Sequence, residues 1–168
     1  MADLQATLHA HHQAVEAFLA AARAVPATHW VKPRLPGKWS PGQVAEHLAL
    51  AYEVSRGVFD GQYSGASAPR FLRPLIRRFG LRPVLLRGRF IPGSKSPESF
   101  RPSDSPPAPD VLLVRLRAAM EAFEAEAASA GAGTVNHPFF GRISVVDFVR
   151  LQDIHTVHHR GQLVPASA

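Results

Sequence analysis

The sequence predicts an all-α protein, a four-helix bundle in the order up-down-down-up with a long crossover between its second and third helices. Three observations lead there. Four long stretches carry apolar residues at helical spacing, each with its own start or stop signal. No stretch has a convincing strand pattern, and "LRPVLLRGRFI" (Leu81 to Ile91) is the one segment open to argument. Some fifty residues separate the second and third helices, far beyond the ~2–8 that join neighbours in a bundle, so this connection can cross the whole bundle and let those helices run parallel.

The first helix starts at Leu4 and repeats apolar residues at Leu8, Val15, Phe18, Leu19, Ala22 and Val25, with Pro26 just beyond. The second opens with Ser40 as N-cap, Pro41 at the first helical position and Gln43 as capping-box partner, and is expected to run to about Phe59. The third starts at Asp110 after a Pro-rich stretch and carries Leu112, Leu113, Leu116, Met120, Phe123 and Ala127 to a stop at Gly131–Gly133. The fourth begins at Ser144, with Asp147 as box partner. It presents Val145, Phe148, Leu151 or Gln152, His155, His159 and Leu163 along one side. Inside the crossover, "RFLRPLIRRFGL" has the pattern of a short amphipathic helix, and "IPGSKSPESFRPSDSPPAPD" reads as extended along the surface.

Composition narrows the chemistry. With 168 residues and 46% apolar content, the chain suits a single domain spanning 1–168 with a core of its own. It has no cysteine. Disulfides and thiolate ligands are therefore excluded, and histidine, carboxylate and water oxygen remain as ligands. The first residues lack a basic and apolar leader pattern, and no run of ~18 apolar residues occurs, so a cytoplasmic protein without a membrane partner is the expectation. The net charge is +6, but residues 70–101 alone carry nine cations against Glu98. Basicity belongs to one segment.

Nine histidines are the distinctive feature, three of them within "HTVHH". His155 and His159 are four apart, which puts two imidazoles on one helix face ~5–6 Å apart, within reach of one metal ion. His158 falls to the side. His47 sits on the apolar face of the second helix beside Val44, Leu48 and Ala51. At 1.5 Å per residue it lies ~9 Å below the start of its helix, and His159 and His155 lie ~6 and ~12 Å from the end of theirs. With those helices antiparallel, His47 falls level with the gap between the other two. His11 and His12 are ~10 Å too deep for this site by the same rise and read as partly exposed. His29 and His137 read as loop residues.

Trp39, Gln43 and His47 in "WSPGQVAEHL", with His155 and His159 in "HTVHHRGQ", resemble the DinB-like superfamily, also called the YfiT-like metal-dependent hydrolases. The stretch "HPFFGRISVVDFVRLQDIHTVHHRGQL" (His137 to Leu163) and "IPGSKSP" are similar to one branch of it. The resemblance implies a homodimer of up-down-down-up bundles in which His47, His155 and His159 bind a divalent metal, usually zinc or nickel. It also implies either a metal-dependent hydrolase or a transferase using a low-molecular-weight thiol, and some members respond to stress with no known reaction.

Three neutral imidazoles with a position left open make a catalytic rather than a structural arrangement, able to acidify a bound water or thiol. With no cysteine in the chain, any thiol must come from outside. Gln43 reads either as a hydrogen-bond donor to a bound ligand or as the capping-box partner of Ser40. Gln162 reads either as a support for the site or as a helix-end polar group. Trp30 and Trp39 line a pocket or staple a helix start. Glu46 and Asp153 point to other faces, so no catalytic base is assigned. The competing expectation is a non-catalytic binding or stress protein whose segment 70–101 contacts nucleic acid or an acidic partner. Nucleic acid is the weaker choice because that segment carries no recognised motif.

Overall fold

A computed structural model describes residues 3–90 and 98–163. It is mostly helical. Helix α1 spans Leu4–Arg23, α2 Pro41–Arg56, α3 Arg73–Ile76, α4 Arg82–Arg87, α5 Pro109–Ala130 and α6 Val145–Leu163, while β1 (Thr134–His137) and β2 (Gly141–Ser144) pair as an antiparallel hairpin. Among the described residues no helix is long and apolar enough to cross a membrane.

Local chemistry sets most boundaries. The Asp3 carboxylate accepts from Gln5 N–H at the start of α1. At α2 both arms of the capping box form: Gln43 N–H donates to Ser40 Oγ (3.3 Å) and Ser40 N–H donates to Gln43 Oε1 (3.0 Å). Ser144 Oγ accepts from Asp147 N–H at α6. Helix α5 departs from expectation: it begins at Pro109, one residue before Asp110, with Ala108 as a cap that offers no side-chain bond. Asp110 lies in the first turn instead, where its charge faces the positive end of the helix dipole.

Four long helices surround the core. α1 packs along α6, and α2 along α5. Glu16 pairs with Arg117 and His11 with Glu124, so α1 and α5 run in opposite directions. Glu53 pairs with Arg115 and Arg56 with Glu126, so α2 and α5 run together. His47 lies against His155, and Ser55 bonds Gln152, so α2 and α6 are antiparallel. Phe18, Tyr52, Phe123 and Phe148 fill the centre with no solvent exposure.

The hairpin corrects the expectation of a purely all-α fold. Val135 and Ile143 are opposite each other and buried, while their neighbours along each strand are more exposed. Two four-residue strands are too short to build a period-two signal that outweighs flanking helices. The segment considered for a strand is helical instead. A π-turn at Arg77–Leu81 leads into α4, Leu81 and Val84 face inward at helical spacing, and Gly88 closes the helix with φ +62°. This short-helix arm is tied to the hairpin through Arg77, whose guanidinium donates to the Arg142 carbonyl at 2.6 Å. Ile91, and with it the "IPGSKSP" segment, lies outside the described residues.

Candidate metal centre

"WSPGQ" does four separate jobs at the start of α2. Trp39 packs its ring against His47, centroids 4.8 Å apart. Ser40 and Gln43 close the capping box, and Pro41 takes the position where no amide partner is needed. Gly42 allows a close approach: a Cβ there would lie 2.8 Å from both Trp30 Nε1 and Pro106 Cγ. The result fixes α2 rigidly and sets the depth of His47, six residues into the helix.

His47, His155 and His159 come together. One ring nitrogen from each lies within 4.8 Å of the other two. Nε2 of His155 is 3.1 Å from Nε2 of His47 and 3.0 Å from Nε2 of His159. The opposite nitrogen of each ring is held by an oxygen. His47 Nδ1 donates to the Phe100 carbonyl at 2.7 Å, and a carbonyl can only accept, so the proton of this neutral imidazole sits on Nδ1 and Nε2 is bare. His159 Nδ1 lies 2.8 Å from Gln162 Oε1, and His155 Nδ1 lies 3.4 Å from Gln152 Oε1. The amide groups of both glutamines are themselves anchored, Gln152 Nε2 on Ser55 Oγ (2.7 Å) and Gln162 Nε2 on His158 Nε2 (3.1 Å).

Electrostatics favours neutral rings. Burial lowers the pKa of His47 against the opposing effect of its bond to Phe100. Burial, followed by the neighbouring His159 and His47, holds His155 well below the usual imidazole range. Burial and His47 take His159 down to about 3, with Gln162 opposing. Neutral imidazole is the form that donates a lone pair to a metal. A single proton on His155 Nε2 would satisfy one of its two nitrogen neighbours and leave the other facing it. A cation shared by all three satisfies every lone pair, and metal–nitrogen bonds of ~2.0–2.1 Å suit nitrogens at these separations. The residues fit a divalent ion.

The imidazoles line a cavity of about 780 Å³ between α2, α6, the hairpin turn and the loop before α2. Phe90 covers His155 and His158, centroids 5.4 and 5.7 Å away. No carboxylate of the described residues lines the cavity.

Several expectations change. Gln43 is occupied by its capping box and by Ser103, to whose carbonyl Nε2 donates, so it does not face the cavity. Gln162 supports His159 directly. Trp39 lines the cavity, but Trp30 does not: it is buried and donates from Nε1 to the Pro107 carbonyl. Glu46 turns away, as expected, and accepts from Ser103 N–H and Oγ–H. His11 is not partly exposed but fully buried, with Nδ1 donating to Glu124 and Nε2 2.7 Å from the Tyr52 hydroxyl; His12 is exposed as expected. His137 ends β1 rather than lying in a loop, stacks on Phe140 at 4.4 Å and lines the cavity.

Sequence reasoning assigned no role to the Phe100 carbonyl, to Gln152 or to Phe90. Gln152 left a signal, a polar residue on the inward side of the fourth helix three positions before a candidate ligand. The carbonyl left none, because every residue has one.

A family model described as "Protein of unknown function (DUF1569)" matches residues 5–166. No curated protein and no solved structure matches the chain.

Proposed function

The chain belongs to the DUF1569 family, and from that premise we propose a metal-dependent transferase or hydrolase acting on a small molecule. In this reading an up-down-down-up four-helix bundle of the DinB-like kind holds zinc or nickel on His47, His155 and His159. One observation carries it: three Nε2 atoms converge while each Nδ1 faces an oxygen. When bound, the cation supplies Lewis-acid polarisation and lowers the pKa of an attached ligand.

The residues of the chain do the rest. His47, His155 and His159 present lone pairs, and Phe100, Gln152 and Gln162 fix their rings by holding the far nitrogens. Trp39 and Phe90 wall the rings. The chain has no cysteine, and among the described residues no carboxylate lines the cavity; in this reading the nucleophile is an external water or low-molecular-weight thiol.

The test is metal analysis on protein purified without a histidine tag. We expect about one zinc or nickel per chain, lost in His47→Ala and in His155→Ala. Metal content indifferent to both substitutions ends the reading. Screening electrophiles with several small thiols then separates transferase from hydrolase.

A second reading has its own support. Phe71, Leu75, Phe79 and Leu86 are more than half exposed on the arm, residues 70–89, that carries seven of the sixteen arginines. Contact of this arm with an acidic partner is tested by retention at low and moderate salt, where charge-driven binding weakens.

A further inference from the structure

We propose that the cavity is a binding slot for an amphiphile, with an anionic chelating head at the imidazoles and an extended apolar tail lying between α2 and α6. The head position rests on the metal reading above; the tail position does not.

The shape comes from the two helices. On α2 the lining runs from His47 through Ala51 to Ser55, eight residues or ~12 Å, and Val58 extends it in the turn that follows the helix. On α6 it runs from Gln162 through His159 and His155 to Leu151, eleven residues or ~16 Å in the opposite direction. Two antiparallel helices lining one cavity side by side make a slot, and about 780 Å³ spread along it suits an extended ligand.

Chemistry differs between the ends. Lys38 and Arg34, in the loop before α2, line the cavity along with the imidazoles His47 and His159. At the far end the wall is Val58, Leu151, Pro138, Phe139 and Phe140, with His137 stacked flat on Phe140. Burial and the Arg73 charge keep His137 neutral at ordinary pH. In the middle the Gln152 amide donates to the Ser55 hydroxyl, so part of the polarity of both groups is spent within the wall. A compact polar substrate would leave that half of the slot unfilled.

Straight-chain hydroxamic acids, from acetyl to decanoyl, test this on cobalt(II)-loaded protein, read from the cobalt absorption spectrum. Affinity is expected to rise about three- to fourfold per methylene and then level off where the slot ends. Val58→Trp should bring the plateau to a shorter chain while cobalt stoichiometry and acetohydroxamate affinity stay unchanged. Phe139→Glu, on a partly exposed residue, guards against misfolding of the first variant and should weaken the longest chain at least tenfold. Flat affinity along the series in cobalt-loaded protein overturns the slot and leaves the metal reading standing. Failure to take up cobalt overturns the metal reading instead. In that event 11-dansylaminoundecanoic acid, added to metal-free protein, is expected to bind one per chain with blue-shifted emission lost in both variants; no binding overturns the slot.

Discussion

Nε2 of His155 lies 3.1 Å from Nε2 of His47, and the His47 nitrogen has no hydrogen to give, because its proton is held on Nδ1 by the Phe100 carbonyl. The residues are 108 positions apart. One proton on His155 Nε2 can bridge only one of its two imidazole neighbours, whereas a cation between the rings meets all three lone pairs, and this is the physical basis for each prediction about the site.

Gln162→Leu keeps all three imidazoles but removes the acceptor that orients His159. We expect metal affinity to fall roughly tenfold to a hundredfold with stoichiometry retained at saturating metal. Competition against a chromogenic chelator measures it, and unchanged affinity would show that the glutamine merely ends the helix.

Tyr52 connects three elements. Its hydroxyl lies 2.7 Å from His11 Nε2 and 2.6 Å from Thr156 Oγ1, and burial pushes its pKa upward. At the far side Glu124 holds His11 and His12; burial would raise its pKa, but these two bonds win and lower it. Tyr52→Phe strands a buried imidazole nitrogen, and should cost about 1–3 kcal/mol in urea unfolding. The loss should appear equally with and without metal.

His137 gives a pH signature separate from the imidazole cluster. Burial, aided by the Arg73 charge, takes its pKa to about 3, whereas in the unfolded chain it sits near ~6.5. The unfolded state therefore takes up the proton first. The stabilisation is full above ~6.5 and is lost as pH falls through the interval down to the folded value. Between pH ~7 and ~4.5 the wild type should lose about 2 kcal/mol more than His137→Phe. Parallel urea titrations in a chelator decide this, and identical pH slopes would contradict it.

Gly42→Ala places a methyl against the Trp30 indole and the Pro106 ring. Overpacking of this kind costs about 1–3 kcal/mol. Because Gly42 N–H also donates to the Trp30 carbonyl at 2.8 Å, the start of α2 should shift and His47 with it. Thermal unfolding and metal content should fall together; an unaltered melting temperature would mean that Pro106 simply moves aside.

Much of the helical framework was legible because its signals are local. Ser40 and Gln43, or Ser144 and Asp147, are three residues apart, and their bonds form within one turn whatever the rest of the chain does. The Gly131–Gly133 stop acts in the same way, with Gly131 at φ +60°. Helix rise, with the second and fourth helices taken as antiparallel, brought His47 level with His155 and His159. The hairpin escaped because four residues hold too little pattern. The burial of His11 escaped because its polar partners, Glu124 and Tyr52, lie on other helices, and a buried imidazole is acceptable only once both nitrogens find such partners.

By itself, then, the sequence determined the four long helices to within a turn at their ends and which faces carry the imidazoles, since capping and periodicity depend on neighbours within a turn or two. Only the tertiary structure decided which nitrogen of each ring points inward. That choice belongs to Phe100, Gln152 and Gln162, and for His47 it is made by a backbone oxygen 53 residues away that becomes a partner only when the crossover packs against α2.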